Sequence, residues 1–266
     1  MEIELKAFLE DIYRRYHRRA LIEPDPLQTV YYFSSDADRE LFGLIAAAFS
    51  VGRVGSILRA LEEVRCRLAN PVSPAASLLH STAEDVTRDF SGMRYRFFSG
   101  DSIALLMIAL SNLLKTYGSL QAAFMCNDDA GPDIHGRLAG FVRMLYDSAR
   151  GYDTGARRIL PNPDAGSACK RLHLFLRWMI RKDEIDPGCW SDHFSPAKLL
   201  VPLDTHMLQV SRRLGLTMRK DGSLRTAREI TGAFREFAYS DPVRYDFSLT
   251  RIGIRGELVQ WPVLTA

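Results

Sequence analysis

The chain reads LDTHMLQVSRRL at residues 203–214, and its aspartate stands immediately before a run of apolar residues at helical spacing. An aspartate in that position is typical of an N-cap, because its side chain accepts a hydrogen bond from a free N–H group of the first helical turn. The pattern predicts a helix that starts at Asp204 and ends at Gly215. It therefore also predicts a carboxylate held in a fixed place.

A second stretch, LPNPDAGSACK at residues 160–170, ends in a lysine 34 positions before Asp204. The spacing of apolar residues predicts a helix over residues 167–182, with Lys170 in its first turn. The positive end of the helix dipole lies there and disfavours an ammonium group, and two arginines in the same helix act in the same direction. The position therefore favours the neutral amine, which is the nucleophilic form of lysine.

The helix over residues 167–182 has two predicted faces. We expect a buried stripe made of Cys169, Leu172, Phe175, Leu176, Met179 and Ile180. The opposite, polar face carries Lys170, Leu174, Arg177 and Arg181. A lysine on such a face is most often an ordinary surface residue, and an aspartate at an N-cap is most often only a cap. The local sequence leaves these interpretations open beside the catalytic one.

Composition limits the class of protein. The chain has 266 residues, of which 47% are hydrophobic and 25% charged, as in an ordinary soluble domain. Its apolar runs are too short to span a membrane and its N-terminus does not resemble a signal peptide, so we expect a cytoplasmic protein, most simply a monomer. The four cysteines do not form a CxxC pair, so we expect no metal cluster, and we expect no cofactor because no nucleotide-binding motif is present.

Positive charge is concentrated around the two stretches. Residues 150–220 contain 13 Lys and Arg against 7 Asp and Glu, although the net charge of the whole chain is only +3. A basic region around a candidate site favours a polyanion such as nucleic acid as the partner, but a solvated basic surface would give the same count.

Helical spacing recurs along almost the whole chain, and no alternating strand pattern, repeat or low-complexity tract interrupts it. The sequence therefore predicts an all-α protein with about ten helices. One of them begins near Asp36, and the last begins at Asp241, because Asp241-Pro242 combines an N-cap with a proline at the first helical position.

Three segments together resemble the helix-hairpin-helix (HhH-GPD) DNA glycosylases, such as endonuclease III. The stretch at 203–214 is similar to the segment that carries that family's essential aspartate. Residues 160–170 loosely resemble its Leu-Pro-Gly-Val-Gly hairpin before the helix with the catalytic lysine, although the Gly-x-Gly itself is absent. Residues 42–50 resemble its early core helix, followed here by a DNA-contacting loop at 51–53. From about Asp25 to Gly253 the chain is similar to an uncharacterised bacterial family, and its lysine-to-aspartate interval is closest to the archaeal 8-oxoguanine glycosylase branch.

The resemblance implies two helical lobes that flank a cleft within one unit of residues 1–266. Residues of about 40–200 would form a helical barrel with a hairpin-like element at 160–182, and residues 1–39 and 201–266 would form the second lobe. Lys170 and Asp204 would be catalytic. Candidate DNA contacts are Arg53, Gly166, Ser167, Arg171, Arg177, Lys198 and His206. Candidates for base stacking are Phe98, Trp178 and Trp190, although aromatic residues at such spacings more often belong to a hydrophobic core.

The implied activity is removal of a damaged purine, such as 8-oxoguanine, from double-stranded DNA. The amine of Lys170 would attack the sugar C1′, Asp204 would stabilise the developing positive charge, and the Schiff base would nick the strand by β-elimination. Two alternatives remain open on the sequence: a non-catalytic helical DNA-binding module and a protein-interaction scaffold.

Overall fold

The computed structural model describes residues 2–68, 73–127, 131–149 and 154–255. These residues are mostly helical, which confirms the predicted class: they contain thirteen α-helices and one ribbon of two short strands. The chain forms two compact units. We call Pro24–Pro163 the central unit, and Met1–Glu23 with Asp164–Ala266 the terminal unit.

Helices α1 and α10 to α13 belong to the terminal unit: α1 (Glu2–Tyr16), α10 (Lys170–Ile180), α11 (Thr205–Arg213), α12 (Leu224–Phe237) and α13 (Asp246–Arg255). The central unit contains α2 (Asp36–Phe49), α3 (Val54–Leu68), α4 (Pro74–His80), α5 (Ala83–Phe90), α6 (Gly100–Tyr117), α7 (Leu120–Met125), α8 (His135–Ser148) and α9 (Thr154–Arg157). Short 3-10 helices occupy Arg19–Leu21, Pro26–Tyr32, Pro163–Ala165 and Pro196–Lys198.

The central unit is organised around α2 and α6, whose residues are largely buried. A buried glutamate on α2 also takes part in helix capping. Glu40 accepts hydrogen bonds from the backbone N–H groups of Leu120 (2.7 Å) and Gln121 (3.0 Å) at the start of α7. Because those groups have no partner within their own helix, the carboxylate satisfies them and ties α7 to α2.

The ribbon corrects the prediction that the chain has no strands. Strand β1 (Arg94–Tyr95) pairs antiparallel with β2 (Phe98–Ser99). Tyr95 and Phe98 are buried, and both rings pack against Phe49 of α2, with ring centroids 5.3 and 6.0 Å away. Each strand has only two residues, which is too short to show an alternation of apolar and polar residues. The sequence pattern therefore could not reveal the strands.

The predicted helix starts were right at Asp36 and wrong at Asp241. Helix α2 begins at Asp36, capped by the Ser35 side chain. The last helix begins at Asp246, five residues after Asp241-Pro242. The carboxylate of Asp241 instead accepts hydrogen bonds from the Arg181 guanidinium at 2.9–3.1 Å, so it is not available as a cap.

The boundary between the units differs from the predicted one between lobes. Residues 164–200, which the sequence analysis grouped with the first lobe, belong to the terminal unit, and residues 24–39 belong to the central unit. The predicted second lobe extends to residue 266, and its last eleven residues, 256–266, lie outside the described residues.

Candidate active site

The backbone before Lys170 is tied to the loop before α12. Ala168 N–H donates to the carbonyl of Gly222 (3.2 Å), and Leu224 N–H donates to that of Gly166 (3.0 Å). Between these two bonds, Ser167 pairs with Ser223 as an isolated β-bridge. The start of α10 is therefore held by tertiary contacts and not only by helix propensity.

Cys169, the residue immediately before Lys170, has a left-handed backbone with φ 44°. A non-glycine residue in that conformation costs roughly 1–2 kcal/mol, and the surrounding contacts must hold it in place. Burial raises the pKa of the Cys169 thiol to about 11, so the thiol is neutral and a poor nucleophile at physiological pH. The strained turn therefore places Lys170 at the start of α10 directly after a buried, unreactive thiol.

Asp204 is the N-cap of α11, as the sequence predicted. Its Oδ1 accepts a hydrogen bond of 2.8 Å from Met207 N–H. This bond fixes the orientation of the carboxylate and leaves Oδ2 for another partner.

That partner is Lys170. The Nζ atom of Lys170 lies 3.7 Å from Oδ2 of Asp204, and the two side chains are 32% and 27% exposed. The structure thus brings together the two residues that the sequence singled out, one the first residue of α10 and the other the N-cap of α11. This separation is longer than a hydrogen bond, so proton transfer between the amine and the carboxylate requires one bridging water molecule or a closer approach of the two side chains. Partial exposure leaves the amine accessible to a substrate.

Beneath this pair lies a third charged group that the sequence analysis did not identify. Asp246, the first residue of α13, is buried, and burial raises its pKa to about 6. Arg177 and Lys170 oppose this rise in the Asp246 pKa, whereas the negative charge of Asp204 adds to it. Asp246 therefore senses the charge of both members of the exposed pair.

Asp246 is also one end of a buried ionic network on α10. Arg177, which is 4% exposed, contacts the carboxylates of Asp246 and Asp186, the latter at 3.1 Å. Arg181 continues the network on the same helical face, with contacts to Asp186, to Asp183 (2.7 Å) and to the already described Asp241. The two arginines of the predicted polar face are thus buried, because carboxylates from outside α10 neutralise them, whereas Leu174 of the same face is partly exposed.

The network contains carboxylates with opposite pKa shifts. Burial raises the pKa of Asp186, although Arg177 and Arg181 oppose that rise. Burial would raise the pKa of Asp183 as well, but a hydrogen bond from His17 (2.9 Å) and the charge of Arg181 hold that pKa well below its usual range. The network thus combines one firmly ionised carboxylate with others that take up protons more readily.

A cavity of about 630 Å³ opens in the terminal unit near the Asp183 end of this network. Its lining includes Tyr13, Arg181, Asp183, Asp241 and Arg244, and neither Lys170 nor Asp204 contributes to it. The cavity is therefore separate from the exposed lysine–aspartate pair.

One protein-family model matches residues 25–255, which is most of the chain. The matched range includes Lys170, Asp204 and Asp246. The chain belongs to the DUF2400 family. That family is described as one of unknown function. No curated protein and no solved structure matches the chain. Membership of this family therefore does not assign a function to the DUF2400 protein, and the function must be inferred from the geometry of the site.

The remaining predicted DNA contacts of this DUF2400 protein are dispersed. Gly166 and Ser167 are exposed on the loop before α10, and His206 is exposed on the first turn of α11. The N–H groups of Ala168 and Cys169 already donate within the protein, the latter to Ser167 Oγ (3.2 Å), so they are not donors for a phosphate. The loop can therefore offer a phosphate fewer backbone donors than predicted.

The other four predicted contacts differ in exposure. Arg171 and Lys198 are half-buried in the terminal unit, and Arg53 is exposed in the central unit, immediately before α3. Arg177 is the one that the structure excludes: its guanidinium is buried and shared between two carboxylates, so its prediction as a phosphate contact was wrong. The spacing that placed it on the face of Lys170 was right, but burial of that face could not be read from spacing.

The three aromatic residues predicted to stack on bases are core residues. Phe98, Trp178 and Trp190 are at most 1% exposed. Trp190 packs edge-to-face against Phe175, with ring centroids 5.2 Å apart. These side chains cannot reach a base from the folded state, and the core interpretation, which the sequence left open, holds for all three.

Metal-binding sites and membrane-spanning helices are two further features that the described residues can be compared with. Within the described ranges, His, Cys, Asp and Glu side chains do not gather in threes as metal ligands would. None of the helices in the part of the chain that the structure describes is long and apolar enough to cross a lipid bilayer.

Proposed function

We propose that this DUF2400 protein is a DNA glycosylase of the helix-hairpin-helix type with AP lyase activity, acting on a damaged purine such as 8-oxoguanine in double-stranded DNA. The observation that carries the proposal is the distance of 3.7 Å between Lys170 Nζ and Asp204 Oδ2, with both side chains partly exposed. An accessible amine beside a fixed carboxylate suits covalent catalysis at a sugar carbon.

The first chemical step separates the base from the sugar. The lone pair of the Lys170 amine forms a bond to C1′ while the glycosidic bond breaks and its electron pair leaves with the base, which takes a proton from water. The carboxylate of Asp204 stabilises positive charge on the sugar in the transition state and accepts the proton that the new C1′–N bond releases.

The second step opens the sugar and cuts the strand. The C1′–O4′ bond breaks, O4′ takes a proton, and a protonated Schiff base forms between C1′ and Lys170 Nζ. Loss of a proton from C2′ then expels the 3′ phosphate by β-elimination. Water hydrolyses the Schiff base and restores the amine.

The buried network supports this role by positioning the pair. Arg177 is fixed between Asp186 and Asp246, and both lysine and arginine belong to α10. Asp246 adds negative charge below the exposed pair when it is ionised, which helps to stabilise a cationic sugar. Because Asp246 is buried, its role is that of a positioning residue.

Borohydride trapping tests the proposal, because borohydride reduces a Schiff base to a stable secondary amine. The wild-type protein is incubated with duplexes that contain 8-oxoguanine or an abasic site. We expect a covalent protein–DNA adduct that is absent in Lys170→Ala. Lys220→Ala is the matched control, since Lys220 is an exposed lysine of the same unit, and it should form the adduct normally.

The other outcomes separate the alternatives. Absence of both an adduct and base release contradicts the enzyme proposal. Salt-sensitive duplex binding without chemistry would then favour the non-catalytic module, whose binding depends on phosphate contacts. Absence of binding as well would favour the interaction scaffold. An adduct that persists in Lys170→Ala would assign the chemistry to a different lysine.

A further inference from the structure

The turn of the ribbon in the central unit exposes a charged residue in an unfavourable conformation. Arg96 and Phe97 form the two-residue turn between β1 and β2. Arg96 has φ 53°, in the left-handed region where glycine costs least, yet its side chain is exposed and contributes nothing to the core. Retaining an arginine there costs stability, which is typical of positions held for function.

The ribbon is tied to the loop before α3, so the two form one surface. The hydroxyl of Tyr95 donates a hydrogen bond of 2.6 Å to the carbonyl of Val51. Gly52, with φ 107°, lies directly under the Arg96 side chain: a Cβ at Gly52 would come within 2.2 Å of Arg96 Nη1. The absent side chain at Gly52 therefore lets the guanidinium of Arg96 lie across the loop at the residue that precedes Arg53 in the chain.

This surface carries uncompensated positive charge. Arg53, Arg94 and Arg96 are exposed, and among the described residues none of the three forms an ion pair with a carboxylate. Other arginines of the same unit behave differently. Arg65 on α3, for example, pairs with Glu62 at 2.6 Å. Three exposed guanidinium groups on this ribbon and its adjoining loop, none with an acidic partner among the described residues, fit an anionic ligand.

An aromatic ring projects from the same surface. Phe97 is 51% exposed, and its ring is held edge-on against the buried ring of Phe98, with centroids 4.7 Å apart. An exposed phenylalanine that is fixed in place loses little conformational entropy when it stacks on a planar partner. Basic side chains combined with one projecting aromatic ring are typical of a nucleic-acid surface.

We infer that the ribbon turn and the adjacent loop, Arg53, Arg94, Arg96 and Phe97, bind duplex DNA, with the arginines on phosphates and the Phe97 ring stacked on a base at an opened step. The choice of duplex DNA over other polyanions rests on the proposed function. The surface itself is independent of the lysine chemistry, because it lies in the central unit. The aromatic contact belongs to Phe97 and not to its buried neighbour Phe98.

The inference is tested by measuring how tightly variants of the surface bind duplex DNA, with Lys170→Ala present in each so that no covalent adduct forms. In Lys170→Ala protein, we expect Phe97→Ala to weaken binding of an abasic-site duplex about ten-fold, as loss of one stacking contact does. Arg94→Ala and Arg96→Ala should each reduce the slope of log Kd against log salt by about 1, as loss of one phosphate contact does. The matched controls are Tyr32→Ala and Arg143→Ala, an exposed aromatic and an exposed arginine of the same unit, which should bind normally.

The possible outcomes test the DNA-binding surface separately from the glycosylase proposal. If the ribbon variants bind DNA as tightly as the controls, the inference is wrong, whether or not borohydride traps the wild-type protein. If the ribbon variants lose binding but no adduct forms in the wild type, the inference stands and the glycosylase proposal fails. Binding of anionic phosphatidylserine vesicles in place of DNA would overturn the inference and assign the surface to membranes. Thermal melting confirms that each variant is folded.

Discussion

The two ends of helix α10 carry the same kind of charge pair in opposite environments. At the N-terminal end, Lys170 and Asp204 are about one third exposed and 3.7 Å apart. Two turns later, Arg177 is 4% exposed and contacts two carboxylates, of which Asp186 is fully buried. The first pair is accessible to solvent, whereas the second is enclosed by the protein.

The difference shows that burial, and not the type of residue, determines whether a charge pair is available for chemistry or is part of the protein core. Buried ion pairs seldom add much net stability, but breaking one leaves an uncompensated charge at high cost. Exposed pairs contribute little to stability and can be altered without unfolding the protein. The account therefore predicts that substitutions at the buried end affect stability, and that substitutions at the exposed end affect chemistry.

The largest effect is expected for Arg177→Ala. Removal of the guanidinium leaves Asp186 and Asp246 buried without their shared partner, so the free energy of unfolding should fall by about 3–5 kcal/mol. Denaturant titration measures this change in the free energy of unfolding. Arg213→Ala, at an exposed position on α11, should change the same quantity by less than about 0.5 kcal/mol. A loss below about 1 kcal/mol in Arg177→Ala would show that the network does not bear on stability.

The pH dependence of stability should identify Asp246. Burial raises its pKa to about 6 in the folded protein, so its contribution to stability is present below pH 4 and is lost as the pH rises to 6. Asp246→Asn cannot ionise. Between pH 4 and 7, the variant should therefore gain about 3 kcal/mol in free energy of unfolding relative to wild type.

The control for that measurement is Asp192→Asn, which replaces an exposed carboxylate of the same unit. Its stability should follow the wild type across the whole range. The lowered pKa of Asp183 acts in the opposite sense and only below about pH 4, since its stabilisation is lost as the pH falls through the folded pKa. Parallel profiles for wild type and Asp246→Asn would refute the raised pKa.

At the exposed end, Asp204→Asn should separate chemistry from stability. Asparagine caps a helix as well as aspartate does, so the free energy of unfolding should change by less than about 0.5 kcal/mol. The rate of adduct formation should fall by about 100-fold, because the amide carries no charge and accepts no proton. A large loss of stability with an unchanged rate would reverse the assignment of Asp204 from chemistry to capping alone.

The smallest effect is expected for modification of thiols. Cys66 and Cys126 are exposed, whereas Cys169 is buried with its pKa raised to about 11. Iodoacetamide at pH 8 should therefore modify Cys66 and Cys126 first and leave Cys169 intact, as peptide mass spectrometry can show. Adduct formation should be unchanged by this treatment. Rapid modification of Cys169 would mean that the turn before Lys170 opens in solution.

The local signals in the sequence predicted the exposed end of the site well. The capping position of Asp204 and the first-turn position of Lys170 depend on residues within a few positions of each, so pattern and propensity suffice. Their distance in space was not derivable from such signals. It depends on tertiary packing, including the pairing of Ser167 with Ser223, which lies 56 residues further along the chain.

The buried end could not be predicted in the same way. Helical spacing correctly placed Arg177 and Arg181 on the face of Lys170, but whether that face is exposed depends on carboxylates from other segments. Asp241 looked like a helix cap because Pro242 follows it, and tertiary pairing with Arg181 prevailed over that local preference. One signal was present: Asp183 and Asp186 directly follow the two arginines, so the charges nearly balance within that stretch.

The most direct test of the central claim is to locate the trapped DNA on the protein. After borohydride reduction on an abasic-site duplex and digestion of protein and DNA, peptide mass spectrometry identifies the lysine that carries the sugar remnant. The account predicts the remnant on Lys170 alone, with Lys182, Lys198 and Lys220 unmodified. A remnant on one of those three lysines, or none at all under conditions that trap a known lyase, would contradict it.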